Sequence, residues 1–161
     1  MVIEQRLNEL DLYLPPAVIP PPGVKVSFAW TRSFEDRVYV AGHGPQARDG
    51  SIAGPFGRVG AEVTADEAHR AAQLATLSML GSLARELGDL DRIVAWLRVD
   101  GFVLVAPGFD RTTNVINGCS DLVVELFGPE RGRHARTAMG VAATPLSCPV
   151  ILAAEVAVMR G

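Results

Sequence analysis

Thr64-Ala-Asp-Glu-Ala-His-Arg-Ala-Ala-Gln-Leu-Ala-Thr-Leu-Ser-Met-Leu-Gly-Ser-Leu-Ala-Arg-Glu-Leu-Gly88, and the β-rich Ile93 to Val105 that follows it, decide the fold. Thr64 and Glu67 have the spacing of a capping box, and Ala68, Ala71, Ala72, Ala75, Met79, Leu83 and Leu87 recur at helical intervals. A stripe made mostly of alanine lets a helix approach a sheet closely, and Gly88 stands where a C-terminal glycine cap belongs. Ile93 to Val105 is dense in Val, Ile, Trp and Phe and ends at Ala106-Pro107-Gly108, so it reads as one long strand.

Upstream, Val24 to Phe34 and Arg37 to Ala41 read as a hairpin turning at Glu35-Asp36, and Gly42 to Gly60, rich in Gly and Pro, reads as a long loop. Downstream, a second helix is predicted over Phe109 to Phe127, ended by Gly128-Pro129. Two strands then follow, Arg136 to Thr144 and Val150 to Met159, around the turn-like Pro145-Leu-Ser-Cys-Pro149. Residues 1–23 form an appendage: Ile3, Leu7 and Leu10 share one face of a short helix, and five prolines between Leu14 and Gly23 make an extended connector.

The order ββαβαββ describes an α+β domain with two helices on one sheet face, and 161 residues suit a single unit, 1–161. Val38, Val40, Val99, Val103, Val141, Val150, Val156 and Val158 exceed what one helical layer covers. The second sheet face is therefore expected to be buried against other subunits.

Composition excludes some functions. Apolar residues are 48% of the chain, charged ones 20%, and the net charge is −3 with Lys and Arg scattered, so nucleic acid is not the expected partner. The N-terminus lacks the apolar run of a secretory signal and no segment has the ~20 apolar residues of a membrane span, so a cytoplasmic protein with no membrane association is expected. Cys119 and Cys148 have no CxxC spacing and read as core thiols. His43, His69 and His134 form no HxH or HxxxH pair, so no metal is expected, nor any cofactor. Gly54-Pro-Phe-Gly-Arg-Val-Gly60 lacks the pattern of a phosphate loop and reads as a loop over a cleft.

Four segments in this order carry a resemblance: Arg37-Val-Tyr-Val-Ala-Gly42, Gly88-Asp-Leu-Asp-Arg92, Asn117-Gly-Cys-Ser-Asp-Leu122, and Gly132-Arg-His-Ala-Arg-Thr-Ala-Met-Gly-Val141 followed by Pro145-Leu146. With them the chain resembles the RidA/YjgF family, also labelled endoribonuclease L-PSP or translation initiation inhibitor, in its longer-chain branch. The resemblance implies a chorismate-mutase-like fold and a homotrimer with ligand clefts between subunits. It also implies substrates that are 2-imino acids or enamines such as 2-aminoacrylate, hydrolysed to 2-oxo acids. Non-catalytic binding of small ligands is the alternative, and the ribonuclease label fits the acidic charge least.

In that family the arginine of the Ala-Arg-[Ser/Thr] segment grips the substrate carboxylate, and Arg136 falls on its position. A guanidinium suits the task because its parallel N–H donors match a carboxylate bidentately and stay charged near neutral pH. Phe28 stands where the family has a tyrosine, Ala41 where it has the serine before Gly42, and His43 where it has a glutamine. The glutamate expected 15 residues beyond the arginine falls on Ile151, which cannot activate water. Glu155 is ~13 Å further along a regular strand. His43 is the candidate catalytic substitute, reading equally as a proton-exchanging cleft residue or a solvent-facing loop residue. His134 reads as a cleft or turn residue, and Ser120, outside any GxSxG elbow, as lining the helix that faces the cleft. The substrate-binding set is thus Arg136, Phe28, Ala41, Gly42, Ser120 and His134.

Overall fold

The computed structural model describes residues 2–160. Helix α1 spans Val2–Glu9, strands β1 and β2 span Thr31–Phe34 and Arg37–His43, and α2 spans Ala65–Leu87. Strand β3 (Ile93–Leu104), helix α3 (Thr112–Gly132), and strands β4 (Ala135–Val141) and β5 (Val150–Val158) complete the chain. The five strands form one sheet in the order β1-β2-β5-β3-β4. Only β3 and β4 pair in parallel, because α3 carries the chain back across the sheet between them.

Helix α2 begins with the capping box that Thr64 and Glu67 announce: the Glu67 N–H donates to Thr64 Oγ1 and the Thr64 N–H to Glu67 Oε1, both at 3.1 Å. It ends at Gly88, whose φ of 76° is left-handed. The α+β fold with two helices on one sheet face is the one expected. In β5 the alternation is regular, with Val150, Leu152, Ala154, Val156 and Val158 buried beneath the helices and the intervening residues half-buried on the other face.

Several boundaries differ from the sequence reading. Val24 to Trp30 is not strand. The β1–β2 ladder stops where β2 bulges between Val40 and His43, after one last bond from the Ala41 N–H to the Trp30 carbonyl. Phe109 precedes α3 and packs beside Gly60 instead, in a turn through Gly108 at φ 85°. Gly128, at φ 80°, breaks α3 without ending it, since Pro129 starts a further turn that runs to Gly132. Leu10 lies beyond α1 and is exposed, while Ile3 and Leu7 are buried.

The valines sort differently from the expectation. Seven of the eight are buried and their strands turn them toward the helices, and Val141 is half-buried near the end of β4. The open face presents other side chains, including Phe34, Tyr39 and Met139, all largely exposed, with Phe102 and Ile151 between them. An ion pair between Arg37 and Glu155 (2.6 Å) crosses the same face.

Candidate functional site

Arg136 sits at the start of β4, the edge strand, opposite Val99 of β3 and on the helix side of the sheet. Its side chain lies along α3. Nη1 donates to Asn117 Oδ1 (2.8 Å) and Ser120 Oγ (3.0 Å), and Nη2 to the Thr113 carbonyl (3.4 Å). Positions 113, 117 and 120 follow one another at helical spacing, so a single face of α3 supplies all three acceptors. Every one is neutral. Among the described residues no carboxylate pairs with Arg136, and Nε–H and one Nη2–H have no partner.

Ser120 joins Arg136 to His134. The His134 ring lies 2.7 Å from the Gly132 carbonyl through Nδ1 and 2.9 Å from Ser120 Oγ through Nε2. A carbonyl only accepts, so Nδ1 carries the proton and Nε2 accepts from the serine hydroxyl. Burial holds the His134 imidazole below its ordinary pKa, with Arg136 adding to the effect and the Gly132 carbonyl opposing it. The ring is therefore neutral near neutral pH. A polar cavity of about 320 Å³ opens between the N-terminal halves of α2 and α3, lined by Asp66, His69, Arg111, Asn114, Asn117 and Asp121.

The remaining candidates lie elsewhere. Gly42 backs onto Ile151, where an added Cβ would come within 3.1 Å of Ile151 Cγ2. Phe28 is exposed and stacks edge-on against Trp30 at 4.9 Å. Ala41 is half-buried at the β2 bulge. Two strands, β5 and β3, separate this group from β4, so one protomer brings Arg136 to Ser120 and His134 but not to Phe28, Ala41 or Gly42.

His43 is neither a cleft residue nor a solvent-facing one: it is fully buried against α2. Its Nδ1–H donates to the Ala41 carbonyl (2.5 Å), Nε2 accepts from Ser82 Oγ (2.8 Å), and Arg85 Nη2 donates to the same Oγ (3.1 Å). Burial lowers its pKa to about 4. A ring so enclosed exchanges no proton with a ligand, and the candidate catalytic role fails on access. Glu155 is no substitute for the missing glutamate either, being engaged by Arg37 on the open face.

Sequence reasoning left Asn117 without a role, although its spacing of three residues before Ser120 places both on one helical face. The line from the exposed Arg85 through the buried Ser82 to the buried His43 had no signal in the sequence, because its members are joined only by packing of α2 on β2. Among the described residues no cluster of three or more His, Cys, Asp or Glu could hold a metal ion, and no helix is long and apolar enough to cross a membrane.

Comparison with known proteins agrees with the fold. Residues 41–156 match the family described as "YjgF/chorismate_mutase-like, putative endoribonuclease". The chain is 34% identical over 148 residues to Protein TCP17 of Trypanosoma cruzi, covering 92% of this chain and 89% of that one. The crystal structure of Atu1372 from Agrobacterium tumefaciens superposes with a TM-score of 0.88 at 36% identity, covering 98% of this chain and 93% of the other. A protein from Shewanella oneidensis described as a "putative endoribonuclease" gives 0.87 at 27% identity, with 98% and 100% covered. The five-stranded sheet under two helices and these matches together mean that the chain belongs to the YjgF/chorismate-mutase-like family.

Proposed function

We propose that the protein is a homotrimer that binds small carboxylate-bearing metabolites through Arg136 in clefts between subunits, and hydrolyses reactive imines or enamines of the 2-aminoacrylate kind to 2-oxo acids there. The observation that carries the reading is the state of Arg136. It is half-buried, held by three neutral acceptors, and retains unpartnered Nε–H and Nη2–H donors, the arrangement a carboxylate completes bidentately. The division of the candidates supports a shared cleft, since Phe28, Ala41 and Gly42 can join Arg136 only from a neighbouring chain. The exposed Phe34, Tyr39 and Met139 support an assembly that covers the open sheet face.

Calorimetry with pyruvate and 2-oxobutanoate tests the binding. Wild-type protein is expected to bind and Arg136→Ala not to, and equal binding by the variant refutes the reading. Freshly generated 2-aminoacrylate tests the reaction: its decay must quicken above the uncatalysed rate. Ile151, and Glu155 tied to Arg37, favour a second reading in which the same cleft binds without chemistry. Binding with unaltered 2-aminoacrylate decay selects that alternative. An endoribonuclease activity finds less support, because the net charge of −3 offers little to an RNA backbone. The buried, unpaired Cys119 and Cys148 support a reducing, cytoplasmic setting.

A further inference from the structure

Ser120, His134 and the Gly132 carbonyl form a line that neither a carboxylate anchor nor imine hydrolysis requires. Ser120 Oγ–H points to His134 Nε2 at 2.9 Å, and His134 Nδ1–H points to the carbonyl at 2.7 Å. This is the arrangement of an activated nucleophile: a hydroxyl against a base, and the base oriented by a third group that fixes its tautomer. The third group is firmly placed. Gly132 is buried where the chain folds back against α3, and a Cβ there would stand 2.9 Å from the Val123 carbonyl oxygen and from Val124 Cα. Ser120 and His134 are both only half-buried, so neither is sealed in the core. Arg136 Nη1, 3.0 Å from Oγ, places positive charge beside the oxygen that loses its proton.

We propose that Ser120 is a nucleophile and His134 its general base, and that the site hydrolyses small esters whose acyl group carries a free carboxylate. The proposal rests on the reading of Arg136 as a carboxylate anchor. Its Nε–H and Nη2–H hold the carboxylate while Ser120 Oγ attacks the acyl carbon and passes its proton to His134 Nε2. The bond to the leaving oxygen breaks, and that proton goes to the departing alcohol. Water then attacks the acyl-serine, giving a proton to Nε2. Ser120 recovers a proton from His134 as the second carboxylic acid departs, so ester and water become alcohol and acid with no other reactant.

The test uses 4-nitrophenyl hydrogen succinate, neutral 4-nitrophenyl acetate and a fluorophosphonate, with wild type, Ser120→Ala, His134→Gln and Arg136→Ala. Wild type is expected to release nitrophenolate from the succinate ester with a burst, and the fluorophosphonate adduct to map to Ser120. Loss of general-base assistance in His134→Gln is expected to slow hydrolysis about a hundredfold. Glutamine retains a donor and an acceptor, so a merely structural tie would survive that change; an unaltered rate in His134→Gln overturns the proposal. So does a Ser120→Ala protein with wild-type turnover, or wild type no faster than buffer. The preference for the succinate ester over the acetate should vanish in Arg136→Ala. Pyruvate binding without ester turnover or labelling leaves the anchor standing and the dyad refuted. Labelling of Ser120 with no preference for the carboxylated ester refutes the anchor and, with it, the substrate class proposed.

Discussion

At the scale of the residue, two charged or titratable side chains determine behaviour through the atoms that face them. Arg136 presents a fork, and its value lies in that shape. Arg136→Lys keeps the charge and loses the parallel donors, so calorimetry should show pyruvate affinity falling about tenfold or more, the loss of roughly one charge-assisted hydrogen bond. His43 has the opposite character, a neutral imidazole enclosed by Ala41, Ser82 and the nearby Arg85. Its folded pKa, about 4, lies below the unfolded value near 6.5, so between those values the unfolded chain binds the extra proton. The stability it confers is fully present above about pH 6.5 and is lost as pH falls toward 4, by at most about 3 kcal/mol. Urea unfolding at pH 7 and pH 4.5 should show that loss in wild type and a smaller one in His43→Gln.

At the scale of the element, the approach of α2 to α3 depends on small residues. A Cβ on Gly118 would fall well inside contact distance of the His69 carbonyl and 3.1 Å from the Ala72 Cβ, so Gly118→Ala forces the helices apart. Thermal or urea unfolding should register about 1 to 3 kcal/mol of destabilisation, the range for overpacking a close contact. Because Asn117 and Ser120 flank Gly118 on α3, the same variant should also weaken pyruvate binding. Much of this layer was legible beforehand: the alanine stripe, the capping box and Gly88 are local signals that do not depend on distant chain. The edges were less so. Gly128-Pro129 reads as a stop, yet proline is acceptable at the first position of a new turn, and the chain uses it that way before reversing at Gly132.

At the scale of the whole molecule, the open sheet face makes its own demand. Phe34, Tyr39 and Met139 are about half exposed or more, whereas Val38, Val40, Val99, Val103, Val150, Val156 and Val158 lie beneath the helices. If the trimer covers that face, Met139→Asp introduces a charge into the interface, and sedimentation velocity should show subunit dissociation at protein concentrations at least about tenfold higher than for wild type.

Sequence determined the helices, the long strand and the ββαβαββ order, and it pointed to Arg136 as the candidate carboxylate anchor. Periodicity and capping are written within a few turns of chain, and the segment around Arg136 carries its own resemblance. Tertiary structure alone decided which side each strand residue faces and what Arg136 meets. With a period of two, a regular β2 that buries Val38 and Val40 would turn Gly42 inward and His43 outward. The bulge after Val40 inserts one residue and reverses that, taking His43 from the candidate site into the core. Likewise Ser120 and His134 are 14 residues apart, and only the return of the chain from α3 into β4 brings hydroxyl, imidazole and guanidinium together.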